Sequence, residues 1–263
     1  MVSIERYESD VITMDVHKSL LEILCAFDSF CSRHNIEYSL HGGTMLGAIR
    51  EHGFIPWDDD ADVTMTRGNF IKLMAALDQA DAEYCVKGKI KKQFYRANDA
   101  QVWVDIFVCD YISENSVQQK IKLFLLTVLD IMYRDRDSMK LSNLQKYSKG
   151  KQLLYKIVYM VGQLFPKKWI AYCYCCVSEK WLLSDKTYMF RSNDQYIGRK
   201  LIFPAAWMKE YKYVQFENTM LPVCNETHGL LIQSYGENYM TPVQDNRNIL
   251  IHNLVRSEQK IEL

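Results

Sequence analysis

The segment His41–Met65 limits the folds open to this chain more than any other part of its sequence. A Gly-Gly-Thr turn at 42–44 follows a short alternating stretch over 36–41 and precedes an apolar run that continues to Arg50. Alternation predicts a strand over 36–41, and the glycine turn with the apolar residues behind it predicts a helix from Gly42 to Arg50. Pro56 limits that helix, because the residue before a proline avoids the helical conformation. The segment therefore predicts a mixed α/β core built around a strand–turn–helix unit.

An acidic run follows this helix and is expected to form the next strand, over 58–66. Alternation along that strand places Asp58, Asp60 and Asp62 on one face. Asp59 falls on the opposite face, with the apolar side chains of Ala61, Val63 and Met65. Carboxylates held this close raise one another's pKa unless a cation neutralises them, and Mg²⁺ or Mn²⁺ is the hard divalent ion that suits such a site. A solvated acidic turn is the alternative, although it leaves the apolar flanks unexplained. A calcium-binding loop is excluded, because it would need glycine at position 63 and glutamate at position 69, where this chain has valine and asparagine.

Two further features extend this predicted site. Gly42–Thr44 opens a helix, and backbone N–H groups at a helix N-terminus attract anions such as phosphate. A strand predicted over 102–109 carries Asp105 on the face opposite its apolar side chains. A charge in so apolar a strand is costly unless a cation compensates it, so Asp105 is interpreted as a further metal ligand, with a buried ion pair as the alternative. The sequence contains no P-loop, dinucleotide-binding glycine motif or nucleophile elbow.

The remaining pattern is helical in the middle of the chain and mixed at its end. Helices are expected over 15–34 and 69–80, and helical spacing of apolar residues dominates 117–183. The predicted fold class is α/β (α+β), with a small mixed sheet flanked by helices and a helical insertion. No repeat or flexible linker divides the chain. We therefore interpret 1–112 as the catalytic core, 113–185 as a helical region and 186–263 as a mixed segment that completes the same domain.

Charge and composition bear on partners and compartment. The 32 basic and 32 acidic residues balance, so no global field indicates a nucleic-acid-binding protein. A polar N-terminus and apolar runs too short to span a bilayer predict a cytoplasmic protein whose eight cysteines are reduced. The group Cys173, Cys175 and Cys176 is interpreted as a buried helix face, with a zinc site as the alternative.

Residues 138–178 contain seven lysines, many aromatic residues and no acidic residue. This stretch predicts peripheral contact with an anionic membrane, and ordinary helical core with a basic rim is the alternative.

Three strings in the sequence resemble the signature of the LicD/fukutin family, a branch of the nucleotidyltransferase superfamily. They are GTMLGAIR at 43–50 followed by GFIPWDDDADV at 53–63, the strand around Asp105, and YGENYMTP at 235–242. The resemblance implies that the core at 1–112 is nucleotidyltransferase-like. It matches Gly42 and Gly43 to the phosphate-loop glycines of the superfamily, Asp60 and Asp62 to its metal-binding acid pair, and Asp105 to its third acid.

The resemblance also implies an activity. Family members transfer a phosphorylated alcohol from a CDP-activated donor to a sugar hydroxyl of a cell-surface polysaccharide or lipid-linked glycan, at the inner face of the membrane. Phosphocholine is the expected group. The alternatives are ribitol or glycerol phosphate, transfer of a nucleoside monophosphate, and a non-catalytic protein on the same fold. Arg50, Arg67 and His252 are candidates to approach the donor phosphates, with ordinary structural roles as the alternative, and Trp57, Trp103 and Tyr95 are candidate aromatic walls for a quaternary ammonium.

Overall fold

The computed structural model describes residues 2–79, 83–136, 148–180, 186–194 and 198–242. The chain forms two compact units. The first consists of residues 1–87, 92–108 and 206–263, and the second of residues 88–91 and 109–205. Within the described ranges, we find no helix of the length and hydropathy that crossing a bilayer requires.

The first unit is built on a mixed sheet. Its strands are β1 (Ser39–Leu40), β2 (Asp62–Thr66), β3 (Tyr84–Lys87), β4 (Lys92–Arg96) and the first part of β5 (Asp99–Ile112), in the spatial order β1-β2-β5-β4-β3. The pairs β1–β2, β3–β4 and β4–β5 are antiparallel. Between β2 and β5, the Asp105 N–H donates to the Ala61 carbonyl at 2.9 Å, and the Thr64 hydroxyl donates to the Phe107 carbonyl at 3.0 Å. These bonds advance in the same direction along both strands, which makes this central pair parallel.

Three helices of the first unit accompany this sheet. They are α1 (Val2–Arg33), α2 (Gly42–Arg50) and α3 (Arg67–Gln79). The apolar stripe of α1 is fully buried, as helical spacing predicts, at Leu20, Leu24, Phe27 and Cys31. The fold class expected from the sequence, a mixed sheet flanked by helices, is confirmed.

A hairpin near the end of the chain braces the first unit. It consists of β8 (Tyr211–Phe216) and β9 (Thr219–Cys224), and it is followed by α7 (Thr227–Tyr235). The Ser39 hydroxyl accepts a hydrogen bond from the Cys224 N–H at 2.9 Å, which ties the hairpin to β1. At the hairpin tip, Glu217 has a φ of 53° and its N–H donates to the His52 carbonyl at 2.7 Å. Its carboxylate accepts from the Phe54 N–H at 3.0 Å, so this one residue holds the loop that leads into the acidic run.

The second unit is largely helical. It contains α4 (Ser116–Tyr133), α5 (Lys149–Gly162) and α6 (Lys167–Lys180), and both α5 and α6 pack on α4. The last residues of β5 pair with β6 (Tyr188–Arg191), which pairs with β7 (Ile202–Pro204). The buried cluster of this unit includes Leu126, Tyr174 and Phe190. Cys173, Cys175 and Cys176 are partly buried thiols on α6.

Two of the sequence-based strand predictions are wrong in their bounds. The strand expected over 36–41 is limited to Ser39–Leu40, and the one expected over 58–66 begins at Asp62. The cause is tertiary: β1 pairs only with Val63 and Thr64, and the Asp58 N–H closes a turn on the Ile55 carbonyl at 2.9 Å. Residues 58–61 therefore precede the strand without regular secondary structure.

Candidate active site

The Gly-Gly turn lies directly against two of the predicted acids. Gly42 opens α2 with a φ of +56°, a conformation that glycine adopts without strain. A Cβ at Gly42 would stand 2.8 Å from a carboxylate oxygen of Asp62, and a Cβ at Gly43 would overlap a carboxylate oxygen of Asp58. The two glycines are thus the residues that let Asp58 and Asp62 approach the N-terminus of α2.

The N-terminus of α2 is not capped by the side chain of its N-cap residue. The N-cap residue His41 makes no side-chain capping hydrogen bond. The Thr44 hydroxyl is already used, since it accepts from the Asp62 N–H at 2.9 Å. The Thr44 side chain thus fixes the start of β2, and binding of substrate phosphate by the Thr44 backbone N–H stays a prediction.

The acidic run does not form the single strand face that alternation predicts. Because β2 begins at Asp62, the alternation of a pleated strand does not apply to the three aspartates before it. Carboxylate oxygens of Asp58, Asp59 and Asp60 all lie within 4.8 Å of one another, so Asp59 joins the cluster and does not face the core. The expected apolar face is confirmed, since Ala61, Val63 and Met65 are buried.

Electrostatics in this cluster are unfavourable without a cation. Burial raises the pKa of Asp58, the neighbouring charges of Asp60 and Asp59 raise it in the same direction, and together they bring it to about 8. The protein therefore holds several carboxylates so close together that one of them keeps its proton near neutral pH. A hard divalent ion would compensate this repulsion, and the donors are all carboxylate oxygens, which fits Mg²⁺ or Mn²⁺.

This pKa leads to a prediction about stability. Without divalent ions, the folded protein holds the Asp58 proton up to about pH 8, whereas the unfolded chain releases it near pH 4. The free energy of unfolding contributed by Asp58 therefore falls as pH rises through this window. We expect Asp58→Asn to remove this fall and to melt at a higher temperature than the wild type at pH 8 but not at pH 4. Thermal melts of both proteins, with and without Mg²⁺, check it. A wild-type melting temperature at pH 8 that Mg²⁺ does not raise would contradict the cation site.

Asp105 stands beside Asp62 across the parallel pair. In a parallel ladder, a residue that donates to the carbonyl of Ala61 is paired with residue 62, and paired side chains project from the same face. Asp105 makes that bond. Both aspartates are partly buried, while their neighbours Val63 and Ile106 are buried on the other face. The predicted position of Asp105, opposite an apolar strand face, agrees with the structure.

Aromatic side chains extend the Asp105 face onto β4. The indole Nε1 of Trp103 donates to the Asp105 carboxylate at 3.3 Å. Tyr95 is the β4 partner of Trp103, and the centroids of the two rings lie 5.8 Å apart. The ammonium of Lys87 stands 5.1 Å from the centre of the Tyr95 ring, so this ring already attracts a cation.

The remaining predicted residues take different positions. Arg50 is engaged in the structure: its guanidinium donates to Glu51 at 2.7 Å and to the Tyr239 carbonyl at 3.2 Å, which ties the YGENYMTP element to α2. Arg67 begins α3 and lies 5.8 Å from the Phe70 ring. Trp57 is partly exposed beside Asp58. His252 lies outside the described residues.

Sequence reasoning missed two residues that position the site. His17 of α1 contacts the Asp58 carbonyl through Nε2 at 2.6 Å and stacks on Phe54 with ring centroids 4.6 Å apart. Glu217 holds the same loop from the hairpin tip. Neither belongs to a local motif, because each acts over a long sequence separation.

Comparison with known proteins finds similarity over the segment that carries this site. Residues 35–150 match the LicD/FKTN/FKRP nucleotidyltransferase domain. The chain is 26% identical over 255 residues to the lipopolysaccharide cholinephosphotransferase LicD of Haemophilus influenzae, and the match covers 86% of this chain and 91% of that protein. Two shorter matches, each of 61 residues and 23% of this chain, are to uncharacterized proteins. The match to the protein of Rickettsia prowazekii is 36% identical and covers 23% of that protein. The match to the protein of Rickettsia typhi is 34% identical and covers 20% of that protein. The resemblance to the LicD family that the sequence motifs indicate is confirmed: the domain match covers residues 35–150, and the similarity to LicD extends over most of the chain.

Proposed function

We propose that this protein transfers phosphocholine from CDP-choline to a sugar hydroxyl of a cell-surface polysaccharide, with lipopolysaccharide as the first acceptor to test and teichoic acid and capsule as further ones. The observation that carries the proposal is the approach of Asp58 and Asp62 to the Gly42–Gly43 turn. It places a carboxylate cluster suited to a cation beside backbone N–H groups suited to a phosphate. Similarity to a lipopolysaccharide cholinephosphotransferase over most of both chains supports the choice of group and acceptor.

A divalent ion belongs to this proposal. Asp60 and Asp62, with Asp58 and Asp105, are the residues that would hold Mg²⁺ or Mn²⁺. Burial and the neighbouring carboxylates, which together raise the pKa of Asp58, are the features that favour its binding. When bound, such an ion neutralises negative charge on the phosphates of the donor. The protein's own contribution is to fix the carboxylates: Thr44 and His41 each bond the backbone of Asp62.

The chain's own groups have distinct roles in the proposed transfer. The N–H groups at the start of α2 orient the donor phosphates, with the helix dipole adding to their attraction. The acceptor hydroxyl oxygen forms a bond to the phosphorus that carries choline, and the bond from that phosphorus to the bridging oxygen breaks, so CMP leaves. The proton of the acceptor hydroxyl passes to the Asp105 carboxylate, which is partly buried beside Asp62.

The aromatic face around Asp105 supports choline over ribitol or glycerol as the alcohol. A quaternary ammonium cannot donate a hydrogen bond, so it is recognised by ring faces and by a nearby negative charge. Trp103, Tyr95 and Asp105 supply both on one face of the sheet.

The selectivity of this face is testable. Trp103→Ala should raise KM for CDP-choline about tenfold, which corresponds to about 1.4 kcal/mol and lies within the range of a desolvated cation–π contact. Trp103→Phe keeps a ring face and should stay within about threefold of the wild type. The CDP-ribitol reaction serves as the reference. An equal change in KM for both donors would show that this face does not bind the choline ammonium.

A donor screen tests the function itself. Purified protein is incubated with CDP-choline, CDP-ribitol or CDP-glycerol, Mg²⁺ or Mn²⁺, and lipopolysaccharide, teichoic acid or capsule fragments. We expect CMP and a phosphocholine-bearing glycan. Because the matched domain is a nucleotidyltransferase domain, transfer of a nucleoside monophosphate is the second candidate. Release of pyrophosphate from a nucleoside triphosphate, in place of CMP from a CDP-alcohol, would favour it.

A further inference from the structure

Helix α5 turns its apolar stripe outward. Leu153, Ile157 and Met160 recur at three- and four-residue spacing, and Leu154 and Val161 border them on the same side. Their exposed fractions are 60% for Leu153, 54% for Leu154, 44% for Ile157, 58% for Met160 and 43% for Val161. The opposite side faces the protein, since Gly162 is buried against Met132 with no room for a Cβ. Within the described ranges, this stripe is not part of the core.

The exposed apolar surface continues past the end of α5. Leu164 is 80% exposed, and Phe165, Trp169 and Tyr172 follow at helical spacing with large exposed fractions. The rings of Phe165 and Trp169 stack with centroids 5.1 Å apart. Large contiguous apolar surfaces rarely face water in a monomeric protein, and aromatic residues at their border are typical of segments that lie at a lipid–water interface.

The charges within the stretch that carries this surface have one sign. Residues 138–178 contain no aspartate or glutamate. Lys149, Lys151, Lys156 and Lys168 are exposed. At 100° per residue, Lys149 and Lys156 lie along one border of the apolar stripe and Lys151 lies beyond the other border. Lys167 is not available, because its ammonium donates to the carbonyls of Met132 and Arg134 at 2.9 and 2.8 Å.

We propose that the outer face of α5 and the start of α6 bind an anionic lipid bilayer, with the apolar stripe in the interface and the lysine ammonium groups at the lipid headgroups. Lysine suits this geometry because its stem lies along apolar surface while its charge reaches outward. A second copy of the chain is a poorer occupant. Symmetric pairing of this face would bring the lysines of both copies together, with no acidic residue in the stretch to compensate them. The proposal does not depend on the catalytic function.

Vesicle flotation tests this binding with two variants and matched controls. The first variant, Leu153→Gln/Ile157→Gln, removes apolar contact, and Ile71→Gln is its control because Ile71 is 55% exposed on α3. The second, Lys149→Glu/Lys156→Glu, reverses charge, and Lys209→Glu, an exposed lysine of the first unit, is its control. Every position is on the surface, so thermal melts should show that all four proteins fold.

The wild type should float with phosphatidylglycerol vesicles at low salt, and much less with phosphatidylcholine vesicles or at high salt. Each lysine near the bilayer changes the partition coefficient about fivefold, so the charge reversal should lower it by at least about 30-fold. The apolar variant should lower it by at least tenfold, and both controls should bind like the wild type. Binding that ignores lipid charge, or variants that float as well as the wild type, would overturn the proposal. A concentration-dependent dimer that Leu153→Gln/Ile157→Gln abolishes, with no flotation, would assign the face to a second copy and also overturn it.

Discussion

Asp62→Asn is expected to lower kcat/KM by on the order of 10³-fold, which corresponds to about 4 kcal/mol of transition-state stabilisation. Asparagine keeps the shape of the side chain but loses the charge that a divalent ion requires. The fold should survive, because the bonds that hold this residue use its backbone: its N–H donates to Thr44 and its carbonyl accepts from the His41 N–H, both at 2.9 Å. Steady-state kinetics at several Mg²⁺ concentrations, with a thermal melt of each variant, measure the effect.

The other aspartates of the run provide the comparison. Asp60→Asn should lower kcat/KM as much as Asp62→Asn. Asp59→Asn should lower kcat/KM about tenfold, because Asp59 belongs to the carboxylate cluster, although strand alternation predicted it on the opposite face. Asp78→Asn is the control, because Asp78 is exposed on α3, and it should stay within twofold of the wild type. Full activity of Asp62→Asn would show that the acid beside the Gly-Gly turn is not catalytic.

The sequence predicted correctly those features that depend on residues close together in the chain. The bounds of α2, Gly42–Arg50, follow from a glycine turn in front of apolar residues at helical spacing. The burial of Val63 and Met65 follows from the cost of exposing apolar side chains next to a core strand. Asp105 could be placed because a lone charge in an apolar strand needs a compensating partner.

The features that the sequence analysis missed depend on distant partners. The strand at 62–66 starts late because β1 is only two residues long, and the length of a partner strand cannot be inferred from the acidic run itself. The edge strand β3 carries Lys87, and its neighbour β4 carries Lys92. These charges interrupt the apolar pattern by which a strand is predicted from sequence. The contacts of His17 and Glu217 join segments far apart in sequence. The outward stripe of α5 is a similar case, because periodicity identifies an apolar face but not what covers it.

Gly43→Ala should abolish most of the activity, by at least 100-fold, although alanine is the better helix former by about 1 kcal/mol. A Cβ at this position would overlap a carboxylate oxygen of Asp58, so the carboxylate or the turn must move and the helix N-terminus loses its place beside the cluster. Gly68→Ala in α3 is the matched control, since the nearest neighbour of its Cβ would be the Thr66 hydroxyl at 3.9 Å, and its activity should not change. Steady-state kinetics and thermal melts with and without Mg²⁺, made on both variants, distinguish an effect on the site from a general effect of replacing glycine in a helix. Wild-type activity in Gly43→Ala would mean that close approach of Asp58 to the turn is not needed, and the site's geometry would then have to be assigned to Asp62 and Asp105 alone.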